Sequence, residues 1–171
     1  MALALAPVLP AAAQDASLEY AVKAAFLYKL GPFVEWPEQA FRAADSPVNL
    51  CVVGGDPFGG VLDRAVAGQS IGSRPIVVRR LPTVGPGDAC HILYIVGADP
   101  RRTAGVVGLV RGTPVLTVTD GVREPGAKGI VNFVIQSNRV RFEIDDFAAA
   151  ENGLAISSKV MSLAVSVRPR N

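Results

Sequence analysis

Two short apolar runs limit what this chain is able to build more than anything else in it. "VNLCVVG", from Val48, and "CHILYIVG", from Cys90, are nearly continuous in apolar residues, end in glycine and lead to an Asp-Pro pair, Asp56-Pro57 and Asp99-Pro100. A run without polar alternation reads as a strand buried on both faces, which calls for a sheet covered by helices on two sides. Aspartate followed by proline reads as a helix start, since the carboxylate caps free N–H groups and proline presets φ at the first helical position. The spacing predicts one helix within "FGGVLDRAVAG", stopping at Gly68, and another from Asp99-Pro100 to about Arg111. "RPIVVRRL" and "TPVLTVTD" read as two further strands.

The rest of the chain supplies the flanks. From Ile130 the period becomes two: Val131, Phe133 and Ile135 share a face, and Val140, Phe142 and Ile144 alternate with Arg139, Arg141 and Glu143. Ser137-Asn138 is the expected turn of that antiparallel hairpin. After Asp145-Asp146 a short helical turn ends near Gly153. "LAISSKVMSLAVSV" then predicts a final helix, capped by Ser157 or Ser158, with Val160, Leu163, Ala164 and Val167 facing in. Near the start, Val22, Phe26, Leu30 and Phe33 recur at helical spacing, so Glu19 to Leu30 reads as an amphipathic helix with Lys23 and Lys29 off its apolar line. Gly31-Pro32 should end it, Trp36-Pro37 makes a second break, and residues 37–47 read as a loop with Phe41 tucked back. The expected fold is α/β: a mixed central β-sheet flanked by helices, with a C-terminal antiparallel hairpin plus helix. At 171 residues and 50% apolar, the chain holds one core, assigned to 14–171 as a single domain.

Residues 1–13, "MALALAPVLPAAA", are uncharged and apolar and end with Ala11 and Ala13 where a signal peptidase reads small residues. They read as an export signal cleaved after Ala13, although no Lys or Arg precedes the run. Pro7, Pro10 and the shortness of the run argue against a membrane span, which needs about 20 apolar residues. The two cysteines, Cys51 and Cys90, pair if the chain is exported and stay as buried thiols if it is cytosolic. A formal charge of +2, with dispersed arginines and no basic stripe interleaved with aromatics, excludes a nucleic-acid reader.

Four patterns invite chemistry. "GGDPFGG", Gly54 to Gly60, follows a strand, but no lysine follows and Asp56-Pro57 occupy the donor positions, so a capped turn explains it better than a phosphate cradle. Cys90-His91 suggests a thiolate and imidazole, yet neighbours on a strand point to opposite faces, and a single histidine rules out histidine-cluster metal sites. Asp145-Asp146 reads as helix capping. "GVREPGAKG", residues 121–129, is either a plain solvated connection or a binding loop presenting Arg123. Tyr28, Phe33 and Trp36 are either core or a docking patch, with Trp36 at the edge. Tyr28, Phe33, Trp36 and Arg123 are therefore the candidate partner-binding residues. No catalytic set, cofactor or metal site is expected.

Taken together, "EYAVKAAFLYKLGPFVEWP", "LCVVGGDPFG", "CHILYIV", "VLTVTDG", "GIVNFVIQSNRVRFEID" and "GLAISSKVMSLA", in that order, resemble the YfiR-like family of exported bacterial proteins over about Leu18 to Val165. The resemblance implies a periplasmic α/β protein that forms a homodimer and is not an enzyme. It implies repression of a membrane-bound diguanylate cyclase through that enzyme's periplasmic sensor region, lowering cyclic-di-GMP and biofilm formation; some members serve other sensors. It also implies a Cys51–Cys90 disulfide. Better-known members carry a second cysteine pair, absent here, and lack the Gly31-Pro32 break. The alternative is a periplasmic small-molecule binding module of a sensory system. Neither reading makes the mature protein membrane-spanning.

Overall fold

The computed structural model describes residues 10–97 and 99–170. The leader read over residues 1–13 falls mostly outside the described residues. In chain order the elements are α1 (Ala11–Lys29), β1 (Val34–Glu35), β2 (Val48–Val53), α2 (Gly60–Val66), β3 (Ser70–Ile71), β4 (Arg74–Leu81), β5 (Ile92–Ile95), α3 (Pro100–Leu109), β6 (Leu116–Asp120), β7 (Val131–Gln136), β8 (Arg139–Asp145), α4 (Asp146–Glu151), β9 (Ala155–Ile156), α5 (Ser158–Met161) and β10 (Ser166–Arg168). Eight strands form one mixed sheet in the order β10-β8-β7-β6-β5-β2-β4-β3, and β1 pairs with β9 apart from it. β4, β2, β5, β6 and β7 run parallel, β7 and β8 form the antiparallel hairpin, and β10 lies parallel to β8.

Both faces of the central strands are covered, which is why their sequences lack alternation. On one face Leu50, Val52, Ile92, Tyr94, Leu116 and Val118 pack under Ala24, Leu27 and Leu30 of α1 and Leu62 and Val66 of α2. On the other, Cys51, Val53, Leu93 and Ile95 meet Val110 and Val115, with Val106 and Val107 of α3 packed against them. The α/β fold with its mixed sheet and closing hairpin is as the sequence predicts.

Three local expectations need correcting. The buried stripe of α1 is Lys23, Ala24 and Leu27, continued by Leu30 at its cap, whereas Val22 is 36% exposed. The helix is turned because Lys23 is drawn inward: its ammonium is bonded to Glu19 and lies 2.5 Å from the Asp120 carboxylate at the end of β6. Burial works against that charge, but the two carboxylates outweigh it and hold the Lys23 pKa above its ordinary value. Second, α2 starts at Gly60 rather than Pro57. Asp56 accepts the Phe58 N–H at 2.8 Å and the Arg80 Nε–H at 2.6 Å, and Gly59, at φ 51°, takes the cap position.

Third, the final helix is present with its expected cap but is shorter than the pattern suggests. Ala155–Ile156 pair with β1, α5 is one turn capped by Ser157, and the chain then extends as β10 along β8. Val160 is buried as expected, but Leu163 is 60% and Val167 37% exposed. Tertiary pairing overrides the helical pattern: the open edge of β8 offers unpaired backbone groups, and β-branched Val165 and Val167 suit an extended chain. The Val165 N–H accordingly donates to the Phe142 carbonyl at 2.9 Å.

Gly31-Pro32 opens a 3-10 turn over Gly31–Phe33. A Cβ at Gly31 would lie inside the contact distance of Ile71 Cγ1 and Cδ1, so the β3–β4 hairpin seats Ile71 directly on the end of α1. Gly31→Ala should cost about 1–3 kcal/mol by overpacking. In a double-mutant cycle Ile71→Ala should recover part of that loss, and strict additivity in urea unfolding would show that the two residues do not touch.

Candidate functional site

Cys51, in the middle of β2, and Cys90, two residues before β5, form a disulfide with Cα atoms 5.8 Å apart across a separation of 39 residues. The loop it closes carries α2, β3 and β4, so the bridge ties the central strand to the far end of its own crossover. Cys51 is fully buried and Cys90 is 6% exposed, among Val84, Leu93 and Val110. No reductant meets these sulfurs without local opening.

His91, next along the chain, faces away from the bridge. The ring is buried and stacks on Phe41 with centroids 4.4 Å apart. Its Nδ1 accepts the backbone N–H of Asn49 and its Nε2 lies against the Ala40 carbonyl, both at 2.9 Å. Burial, reinforced by Arg74, outweighs the Ala40 bond and pushes the His91 pKa below the ordinary imidazole value. With one side chain in a disulfide and the other turned aside, Cys90 and His91 form no thiolate–imidazole pair, as the divergence of neighbouring side chains predicts.

The aromatic candidates gather where α1 turns into β1. Tyr28, Phe33 and Trp36 are each half-buried against the α1 side of the core. Trp36 Nε1 donates to the His91 carbonyl at 3.3 Å, and the Phe33 carbonyl accepts from Ser157 N–H at 2.9 Å. Phe41, tucked back as expected, carries the Arg74 guanidinium 3.7 Å from its ring centroid, and Arg74 also donates to the carbonyls of Ala43 and Ser46. The segment from Trp36 to Ser46 is thereby pinned along the amino-terminal ends of β2 and β5.

Arg123 is not part of this face. It is exposed in the loop after β6, at the opposite end of the strands. Leu116 N–H bonds to the His91 carbonyl at one end of β6 and Asp120 meets Lys23 at the other, so the length of that strand, about 13 Å, separates the two regions. The loop is ordered by Asn132, which is 1% exposed: its Oδ1 accepts from the Thr119 hydroxyl and the Val122 N–H, and its Nδ2 donates to the Val122 carbonyl and to Glu143. The sequence offered one signal for this, an amide set inside the apolar run "IVNFV".

Other candidates have structural partners. Asp145 caps α4 by accepting from Ala148 N–H at 2.8 Å, as expected, while the buried Asp146 carboxylate is held by both Nε and Nη2 of Arg170. Asp56, in the glycine-rich turn, is engaged by Arg80. Among the described residues no group of three or more His, Cys, Asp or Glu is placed to hold a metal ion.

The disulfide on the α3 side, the aromatic turn after α1 and the closing hairpin all lie within one stretch, and the sequence model of the YfiR/HmsC-like family matches residues 20–165. The chain belongs to the YfiR/HmsC-like family. The matched stretch spans everything from the inner half of α1 to the turn before β10, so the family's shared core is the two-faced sheet described above. YfiR/HmsC-like proteins are regulatory and non-catalytic, acting in diguanylate cyclase signalling from the periplasm. This YfiR/HmsC-like chain holds both of its cysteines in the one bridge. Among the described residues no helix is long and apolar enough to cross a membrane.

Proposed function

We propose that this protein is a periplasmic repressor that binds the periplasmic sensor region of a membrane-bound diguanylate cyclase, holding cyclic-di-GMP and biofilm formation low, and that it works as a homodimer. Family membership supplies the class of function. The observation that carries the reading to particular residues is the half-buried aromatic turn: Tyr28, Phe33 and Trp36 each combine an anchored side with an exposed one, the arrangement of an interface anchor. Arg123, at the other end of the strands, is a separate contact in this reading. Export by removal of residues 1–13 is compatible with the packing, because every residue from Ala11 to Leu18 is exposed.

The test is capture of the purified cyclase sensor region. Phe33→Ala with Trp36→Ala should weaken binding by about tenfold or more, the loss expected of interface anchors, while far-UV circular dichroism stays unchanged. Wild-type affinity in the double variant would remove the aromatic turn from the interface. A second reading, a small-molecule sensor module, draws on a cavity of about 290 Å³ between α3, α4 and the 121–129 loop, lined by Arg111, Lys128, Phe147 and Arg168 among others. Ligand-induced thermal shifts without any cyclase binding would favour it.

A further inference from the structure

We propose that His91 is an acid-operated catch for the segment running from Trp36 to Phe41, so that protonating its ring releases Trp36 from the body of the protein. The two ring nitrogens fix the chemistry. A carbonyl oxygen only accepts, so the contact with Ala40 requires the proton on Nε2; a backbone N–H only donates, so the contact with Asn49 requires a bare Nδ1. The neutral Nε2–H tautomer satisfies both. A second proton must go to Nδ1, where it would face the Asn49 N–H at 2.9 Å, donor against donor. The ring cannot keep its seat in that state.

What moves is set by the attachments. The His91 backbone stays in the sheet, its N–H on the Asn49 carbonyl and its carbonyl taking the Leu116 N–H. The side chain, however, holds the Ala40 carbonyl and the face of Phe41. Charge on the ring adds a second cation to Phe41, whose ring already carries the Arg74 guanidinium from β4. A cavity of about 310 Å³ lined by Arg42, Arg79 and Asp88 together with Asn49 and Ala89 adjoins His91. Arg74 opposes the new charge directly, and the cavity wall holds two further guanidinium groups, Arg42 and Arg79, against the single carboxylate of Asp88, so the surroundings stay net cationic. Losing the ring's hold on Ala40 and Phe41 leaves Trp36, just beyond the β1–β9 pair, held on its far side only by its packing against the core and one 3.3 Å bond.

The direction of the pH response follows from linkage. Burial holds the folded pKa below the unfolded value of about 6.5. The stabilisation is complete above the unfolded pKa and is lost as pH falls from there through the folded pKa. The catch therefore stays shut near neutrality and opens in mild acid. If the aromatic turn binds the cyclase, as proposed above, this is regulation of that same site, but the test needs no partner.

His91 and Trp36 are the only residues of their kinds, so each reports alone. In uniformly 15N-labelled protein the imidazole nitrogens should show the Nε2–H tautomer at pH 8 and titrate below the ordinary histidine range. Over the same interval acrylamide quenching of Trp36 should rise about twofold, as expected for local opening, with far-UV circular dichroism unchanged. His91→Phe should abolish the step. An Nδ1–H tautomer, protonation without a change in quenching, or a step that survives in His91→Phe would each overturn the proposal. Should His91→Phe not fold, coincidence of the two wild-type midpoints decides, and separate midpoints refute it. Loss of cyclase binding in any of these proteins would bear on the binding reading alone.

Discussion

Cys51→Ser should lower the free energy of unfolding by about 4 kcal/mol, the loop-closure stabilisation of a bridge enclosing about 40 residues. For a domain of this length that corresponds to a fall in melting temperature of roughly 8–16 °C. Guanidinium unfolding in the absence of reductant is the measurement. Cys90→Ser should match it, and the double variant should add little, since the loop can be opened only once. A loss below about 1 kcal/mol would mean that the unfolded chain keeps β2 near β5 without help. Because Cys51 is wholly buried, dithiothreitol added to the folded protein should react only as fast as the core around Val84 and Leu93 opens. In cells, weaker repression in Cys51→Ser, read as increased biofilm, would connect this clamp to the proposed function.

Asn132→Leu should be about as damaging, at about 3–5 kcal/mol, since it strips four partners at once and each buried polar group left unmet costs about 1–3 kcal/mol. The Val122 N–H and carbonyl, the Thr119 hydroxyl and the Glu143 carboxylate all lose a bond. The neighbouring turn has no slack with which to absorb the change. Gly129 N–H is held by Thr119 Oγ1, Ile130 N–H by Thr117 Oγ1, and a Cβ at Gly129 would stand 2.8 Å from the Thr117 carbonyl oxygen. Urea unfolding should report the stability. Limited trypsinolysis gives a local readout, because Arg123 sits one residue beyond Val122 and cleavage there should accelerate. Unchanged cleavage combined with lower stability would place the damage in β7 rather than in the loop.

The strands were legible because burial on both faces writes itself as an uninterrupted apolar run, and the hairpin because burial on one face writes itself as alternation. Asp99-Pro100 was legible because its cap is local: the Asp99 carboxylate takes the Arg101 N–H two residues on. Asp56 makes the same local bond, to the Phe58 N–H two residues on, yet the helix waits for Gly60 because Gly59 at φ 51° interrupts it. The orientation of α1 was hidden because the partner that turns it is distant in sequence. Lys23 looks like a solvent residue until β6 brings Asp120 to it across 97 positions. The aromatic turn was visible as a cluster, yet its tie to His91 spans 55 residues and involves a backbone carbonyl, which no side-chain pattern records. Grouping Arg123 with those aromatics had no geometric basis in sequence, and the length of β6 keeps them apart.

β10 is the last piece of the sheet to leave the ribosome, and it lies on the rim where β8 would otherwise present bare amides and carbonyls. Between the synthesis of β8 and that of β10, about twenty residues later, that border stands unguarded except for the alternating charge of Arg139, Arg141 and Glu143. That border closes over Glu143–Asp145 when β10 docks and the carboxyl-terminal arginines, Arg168 and Arg170, clasp Asp145 and Asp146.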